Sequence, residues 1–347
     1  MKTLKFGPYK QERQESYDIR KFCFIDHTFN GEEKKVYSNV NFSIFTDDVC
    51  NADCDFCVAQ LRYENRQKMY SERAHNKLSD EAYFDKLEAA MEHIRPLNPT
   101  ISLTGGEPTI CSRLPRILEL IEKYGFRKRT FTTNGSGLLK SLPGTDKPVI
   151  QLLIDAGFKH LNISKTHFND DHNQSIMRFG GLAESCTNDM LREIVKVAQA
   201  NDLRPRMSCV LLKSGIGTLD SMIEYMNFYQ ALGVDNIIFR ELMDFNRSTM
   251  INESKVAFCD ANKVPLKGIW AQIDQDPRFT PIRSLRGYYY YVEVYKYQSV
   301  DMVTEGANLV KLYDEKSKNP GIVYEMIFHP SGTLNGSWVE TEDILLP

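Results

Sequence analysis

Cys50, Cys54 and Cys57 stand as Cys50-Asn51-Ala52-Asp53-Cys54-Asp55-Phe56-Cys57, a C-x3-C-x2-C run after the apolar-alternating stretch Val40 to Phe45. Three thiolates at this spacing can hold three corners of an iron–sulfur cube, and no fourth cysteine is near in sequence to close the site. Four-cysteine ligation is the ordinary arrangement, so a missing ligand leaves one iron open to an outside molecule. An open iron is a place for chemistry, whereas a closed cluster serves structure or electron transfer. Two plainer readings compete. Zinc is one, but structural zinc takes four ligands and no His or Cys follows at finger spacing. Ordinary free thiols are the other.

Further motifs bear on the choice. Gly105-Gly106-Glu107-Pro108 follows the strand-like run Thr100 to Thr104; Arg129 to Thr133 is a second strand ending in Asn134-Gly135, and Lys159 to Ser164 a third. Over about residues 38 to 242 this order of motifs resembles the radical S-adenosylmethionine (SAM) superfamily, in motif style nearest its GTP cyclase-like group. The resemblance implies one [4Fe-4S] cluster on the three cysteines and SAM at the open iron. It also implies a 5′-deoxyadenosyl radical that takes hydrogen from a substrate, and a flavodoxin- or ferredoxin-type reductant.

Six strand candidates (39–45, 100–104, 129–133, 160–164, 206–212, 236–240) alternate with five helix candidates (79–94, 113–124, 148–156, 188–201, 219–232). Alternation of this kind implies parallel pairing through right-handed crossovers. The expected fold is α/β, a partial (β/α)6 TIM-like barrel with its chemistry at the C-terminal strand ends. Residues 1–37 read as an N-terminal arm, 38–244 as the barrel and 245–347 as a substrate-capping extension. Within the last part, residues 245 to 285 look irregular because of Pro265, Pro277 and Pro281. Tyr288 to Tyr295 reads as a strand, and His329-Pro330-Ser331-Gly332 as a hairpin turn, giving a small antiparallel unit.

The resemblance also assigns roles. Phe56 would lie by the adenine of SAM, and Gly105, Gly106, Glu107 and Pro108 would receive its methionine ammonium, with Glu107 the charged partner. Ser164 and Arg206 would meet the methionine carboxylate; Arg204 is a near neighbour, so the register stays open. Thr133 and Asn134 would face the ribose or substrate, although Asn-Gly is also a common turn pair. His167 and His172 are candidates for substrate contact or proton handling, weighed against a plain solvated loop. Arg62 and Arg66 could bind an anionic substrate, with surface ion pairing the simpler role. Tyr289, Tyr291, His329 and Trp338 are candidate substrate contacts, with sheet packing the default for each.

The chain has 347 residues, 43 Lys plus Arg against 46 Asp plus Glu, and a formal charge of −3, so no basic stripe argues for nucleic acid. No run is long enough to span a bilayer, no signal peptide opens the chain, and the eight cysteines form no secreted-type framework. A cytoplasmic setting follows. No cysteine follows Cys259, so the second cluster of the GTP cyclase and the twin-cluster extension of many peptide-modifying relatives are missing. That favours a small-molecule substrate (a nucleoside, sugar or amino-acid derivative). A radical SAM maturase of a ribosomal peptide is the runner-up. A non-catalytic electron-transfer or zinc-binding protein is the alternative of another class.

Overall fold

The computed structural model describes residues 7–8, 13, 22–47, 49–74, 77–126, 128–180 and 185–347; most of the expected N-terminal arm lies outside them. The arm's described part is a hairpin of β2 (Phe24–Phe29) and β3 (Glu32–Tyr37), preceded by the two-residue β1 (Gly7–Pro8). Six strands then follow: β4 (Asn41–Phe45), β5 (Thr100–Thr104), β6 (Lys128–Thr133), β7 (His160–Ser164), β8 (Arg204–Val210) and β9 (Asn236–Arg240). Each pairs in parallel with the next, in chain order. The intervening helices are α1 (Arg66–Ala74), α2 (Asp80–Ile94), α3 (Leu114–Tyr124), α4 (Val149–Asp155), α5 (Asp170–Met177), α6 (Asn188–Ala200) and α7 (Leu219–Ala231). The arc does not close on itself.

Alternation along the strands sorts the side chains. In β5, Ile101 and Leu103 are fully buried while Thr100, Ser102 and Thr104 are only partly so. Helices supply the complementary stripe: Leu191, Ile194, Val195 and Ala198 of α6 repeat at helical spacing and join the same apolar layer. Each large side chain buried there contributes about 1.5–3 kcal/mol. The opposite, inner face of the strands is polar, with Asn162 and Ser164 on β7 and Ser208 on β8, and it opens toward the strand tips. Ser79 caps α2, its side chain accepting from Ala82 N–H.

Residues 245–285 depart from the irregular segment expected of them. They hold α8 (Glu253–Asn262), α9 (Leu266–Ile273) and β10 (Phe279–Arg286). Next come β11 (Tyr290–Tyr297), β12 (Val300–Ala307), α10 (Leu309–Lys318), β13 (Ile322–Val323), β14 (Met326–Phe328), β15 (Leu334–Asn335) and β16 (Ile344–Leu346). The antiparallel extension is thus present but divided. The meander β10–β11–β12 joins the arc by parallel pairing of β12 with β9. At the other edge β14 pairs in parallel with β4, and β15 and β16 follow antiparallel. Gly332, at φ +82°, makes the turn between β14 and β15. Leu312 of α10 packs with Tyr37 of the N-terminal hairpin and with Tyr288 and Tyr324 of the tail. No helix among the described residues is long and apolar enough to cross a membrane.

Candidate active site

A cavity of about 470 Å³ opens at the C-terminal tips of the arc. Cys50, Cys54, Cys57 and Phe56 line one wall, and Gly105, Gly106, Glu107 and Pro108 another. Thr133, Asn134 and Ser164 complete it, so the structure brings these sequence candidates together. Phe56 also packs behind the wall against Ile176 and Leu212. Gly105 is required by its surroundings: at φ +124° a Cβ would stand 2.5 Å from the Asp47 carbonyl oxygen. The close approach that needs a glycine here is therefore to the chain itself.

The cysteine loop is pinned from four directions. Asp53 N–H donates to the Met177 and Arg178 carbonyls at the end of α5, and Gly180 N–H to Asn51 O. From the β6 tip, Asn134 Nδ2 donates to Asn51 Oδ1 (2.8 Å), and Asn51 Nδ2 to Ser136 Oγ (2.8 Å). Arg66 of α1 donates to the Cys50 carbonyl and to Tyr70 Oη. From α8 the buried Lys255 ammonium reaches Cys54 O (2.7 Å) and Asp53 Oδ1 (3.0 Å), where Gln60 Nε2 also donates. Asn51 and Lys255 were not singled out in the sequence. Asn51 sits inside the motif, but Lys255 carried no local signal.

The donor set suits a multi-iron cluster. Cys50, Cys54 and Cys57 all line one cavity from a single loop. In a cube each thiolate has its own iron, so the sulfurs stand apart around a loop. Burial pushes the Cys50 thiol up to about 11 and the Cys54 thiol higher still, with Cys57 adding to both. A coordinated cation reverses this, since it deprotonates the thiol outright. Two buried amide oxygens on lining residues, Gln60 Oε1 and Asn162 Oδ1, have no hydrogen-bond partner among the described residues, as a wall prepared for a polar ligand would show.

Glu107 is buried at the junction of the β5 and β6 tips. Its Oε1 accepts from Thr109 N–H (3.0 Å), Thr109 Oγ1 (2.6 Å) and Thr133 Oγ1, and Oε2 accepts from Asn134 N–H (2.7 Å). Burial raises its pKa while these donors oppose the rise. A carboxylate offers about four lone-pair sites, so the capacity left for an ammonium is on Oε2. Glu107 is first a brace between two loops.

Arg206 does not reach the cavity. It lies two residues below Ser208 on β8, largely buried, with Nε donating to Asn236 Oδ1 (2.5 Å); burial and the neighbouring Arg240 lower its pKa to about 10. Two guanidinium groups do line the cavity, Arg73 of α1 and Arg240, and Arg240 stands at the tip of β9, paired with Glu305 of β12. Arg240 ends its strand at the catalytic face, and that position was a usable signal.

A second cavity of about 350 Å³ adjoins the first and shares Phe45, Val58, Arg73, Thr104, Gly105 and Met243 with it. Its other walls come largely from the tail: Tyr289, Leu309, Tyr313 and Trp338, with Glu340. Tyr289 and Trp338 thus line this cavity. Tyr291 and His329 are not among the lining residues. The Tyr291 ring packs on Trp270 (5.6 Å) and its hydroxyl donates to the buried Glu293, while His329 is buried between the Phe45 ring and the Ser337 carbonyl. His167 and His172 also lie elsewhere, stacked on each other at 4.2 Å, with His172 Nε2 bonded to Ser214 O. The helix that carries His172, α5, serves the site through its other end, where residues 176–180 hold the cysteine loop.

The radical SAM superfamily model matches residues 45–226, which span every motif of the first cavity. A probable GTP 3′,8-cyclase of Sulfolobus acidocaldarius is 30% identical over 144 residues, 41% of this chain and 41% of the relative. Its counterpart in Sulfurisphaera tokodaii is 30% identical over 196 residues, 56% of this chain and 53% of the relative. The chain spans about half the length of the curated relatives it matches. Among solved structures, Streptococcus suis SuiB bound to precursor peptide SuiA is similar, with a TM-score of 0.52 at 17% identity over 86% of this chain and 59% of that one. At that identity the likeness speaks for the fold.

Proposed function

This chain belongs to the radical SAM superfamily, and on that premise we propose that it abstracts hydrogen from a small molecule held in the second cavity. The superfamily's enzymes use a [4Fe-4S] cluster and SAM; together, when bound, these supply a 5′-deoxyadenosyl radical. Cys50, Cys54 and Cys57 would hold the cluster. Phe56 would lie by the adenine, and Thr133 and Asn134 by the ribose. The Gly105–Pro108 turn would take the methionine ammonium, with Glu107 Oε2 as its anionic partner. Ser164 and Arg240, in place of Arg206, would take the carboxylate.

The observation that carries the small-molecule reading is the shared wall. A ligand in the second cavity sits directly against the residues that line the first, and about 350 Å³ lies in the range of small-molecule pockets. On this reading residues 1–37 are an arm, 38–244 the radical-generating barrel and 245–347 the part that caps the substrate and keeps water from the radical. A cytoplasmic setting and a flavodoxin- or ferredoxin-type reductant go with it. Peptide maturation is the second reading; its support is the likeness of fold to SuiB.

The test is anaerobic. Reconstituted protein with a strong reductant should form 5′-deoxyadenosine from SAM, and a metabolite filtrate of a cell extract should accelerate it. Acceleration only by the peptide-containing retentate would replace this reading with the maturase.

A further inference from the structure

We infer that the second cavity takes a flat, largely apolar molecule bearing one carboxylate or phosphate, and that Arg62 reads that charge. The inference rests on the proposal that this cavity is the substrate chamber. Its walls carry five aromatic rings, Phe45, Tyr63, Tyr289, Tyr313 and Trp338, which suit a planar body.

The arginines around the two cavities differ in one respect. Arg66 binds Tyr70 and Cys50 O, Arg73 binds Tyr63 Oη (3.0 Å), Arg178 pairs with Asp55 and Arg240 with Glu305. Among the described residues Arg62 makes no hydrogen bond and no ion pair; its guanidinium lies over the Tyr313 ring, 5.6 Å from the centroid. It is half-buried, and burial works against its charge, with Arg73 adding to that effect. Glu342 and Glu325 favour the charge through space without touching it, and Glu325 is already taken by Trp338 Nε1 (2.9 Å) and Lys316 Nζ (2.7 Å). Glu340, the carboxylate on the cavity wall, accepts from Ser331 N–H (3.2 Å). A guanidinium keeps its charge in proteins and presents a planar fork that matches carboxylate and phosphate. Held by a ring and left without an anion, that fork is the cavity's open polar valence.

The experiment measures binding to the full-length, cluster-reconstituted protein with SAM, by ligand-observed NMR. Phenylacetate, phenyl phosphate and neutral benzyl alcohol are the probes. At least one anion should bind about tenfold more tightly than benzyl alcohol, and the better of the two identifies carboxylate or phosphate. Arg62→Gln should abolish the preference, and Arg62→Lys should restore part of it. Equal binding of all three probes, or a preference that survives in Arg62→Gln, overturns the inference. The same wild-type preparation is assayed for 5′-deoxyadenosine. If none forms, the radical reading fails independently; if it forms without an anion preference, only this inference fails.

Discussion

The two adjoining cavities are built differently. The first is walled by hydrogen-bonded loops: Glu107 braces two strand tips, Asn51, Asn134 and Ser136 interlock, and Lys255 holds the cysteine loop from α8. The second is walled mainly by rings and by Met243, Met250 and Leu309. Polar networks fix one geometry, whereas methionine-containing apolar walls adapt to what they meet. The superfamily match covers the first cavity's motifs and ends at residue 226, before the tail residues that wall the second. On the proposed reading, cofactor chemistry is written in the rigid half, and identity of the substrate in the adaptable one.

The largest effect should come from the rigid half. Alanine at Cys50, Cys54 or Cys57 should abolish iron and sulfide incorporation, while Cys111→Ala and Cys186→Ala should retain it. Cys259 makes the sharper control. It packs in the group behind Phe56 and is close enough to Cys57 for their charges to interact. Cluster loss in Cys259→Ala would make it a fourth ligand, close the open iron and break the comparison at its root.

On the adaptable side, Trp338→Ala or Tyr289→Leu should lower turnover of the true substrate by at least about tenfold, which corresponds to about 1.4 kcal/mol. Iron content should hold, and substrate-free SAM cleavage should persist or rise. Loss of fold and cluster together in both variants would show that the tail is core rather than chamber.

A smaller effect belongs to the buttress. Lys255→Met removes a charged hydrogen bond from a carbonyl and a partner from Asp53, whose carboxylate is more than a third exposed. With that exposure discounted, the loss should be about 1–2 kcal/mol in denaturant unfolding. The cluster's midpoint potential should also fall, because a nearby positive charge favours the reduced form. An unchanged potential would limit Lys255 to folding.

The smallest effect concerns His167, outside both cavities. Partial burial, with a smaller contribution from the stacked His172, lowers its pKa to about 4. The unfolded chain therefore binds the proton first as pH falls. The associated stability is present above about pH 6.5, the ordinary histidine value, and is lost progressively toward pH 4. His167→Gln should flatten the melting temperature across that window and leave SAM cleavage unchanged. An altered cleavage rate would bring the histidine pair back into the site.

The six parallel strands were legible because each is a short apolar run closed by turn chemistry. The motifs at their tips were legible for the same reason. Height along a strand was less so: Arg206 opens its strand candidate and Arg240 ends its own, yet their partners Asn236 and Glu305 appear only with the register. Parity failed in the tail for a related reason. β11 is covered on both faces, so Tyr291 packs on Trp270 while Tyr289, just before the strand, faces the chamber. In α8 the buried face carries Lys255 and Cys259, and a lysine on the inner stripe hides helical periodicity. In α9 the spacing of Leu266, Ile269, Trp270 and Ile273 was readable, but Pro265 and Gly268 masked it.

The pairing of β14 with β4 has a consequence in time. Phe42 and Ser43 meet Met326 and Ile327 only after nearly the whole described chain has been made. At about 5–20 residues per second of synthesis, the β4 edge waits roughly 15–60 s for its neighbour. An unpaired edge strand is a template for mispairing, so the nascent chain carries that hazard for most of its synthesis. The same interval leaves the cysteine loop, complete soon after β4, without its tail-side wall. A preassembled iron–sulfur unit delivered during translation would find that side of the site still open.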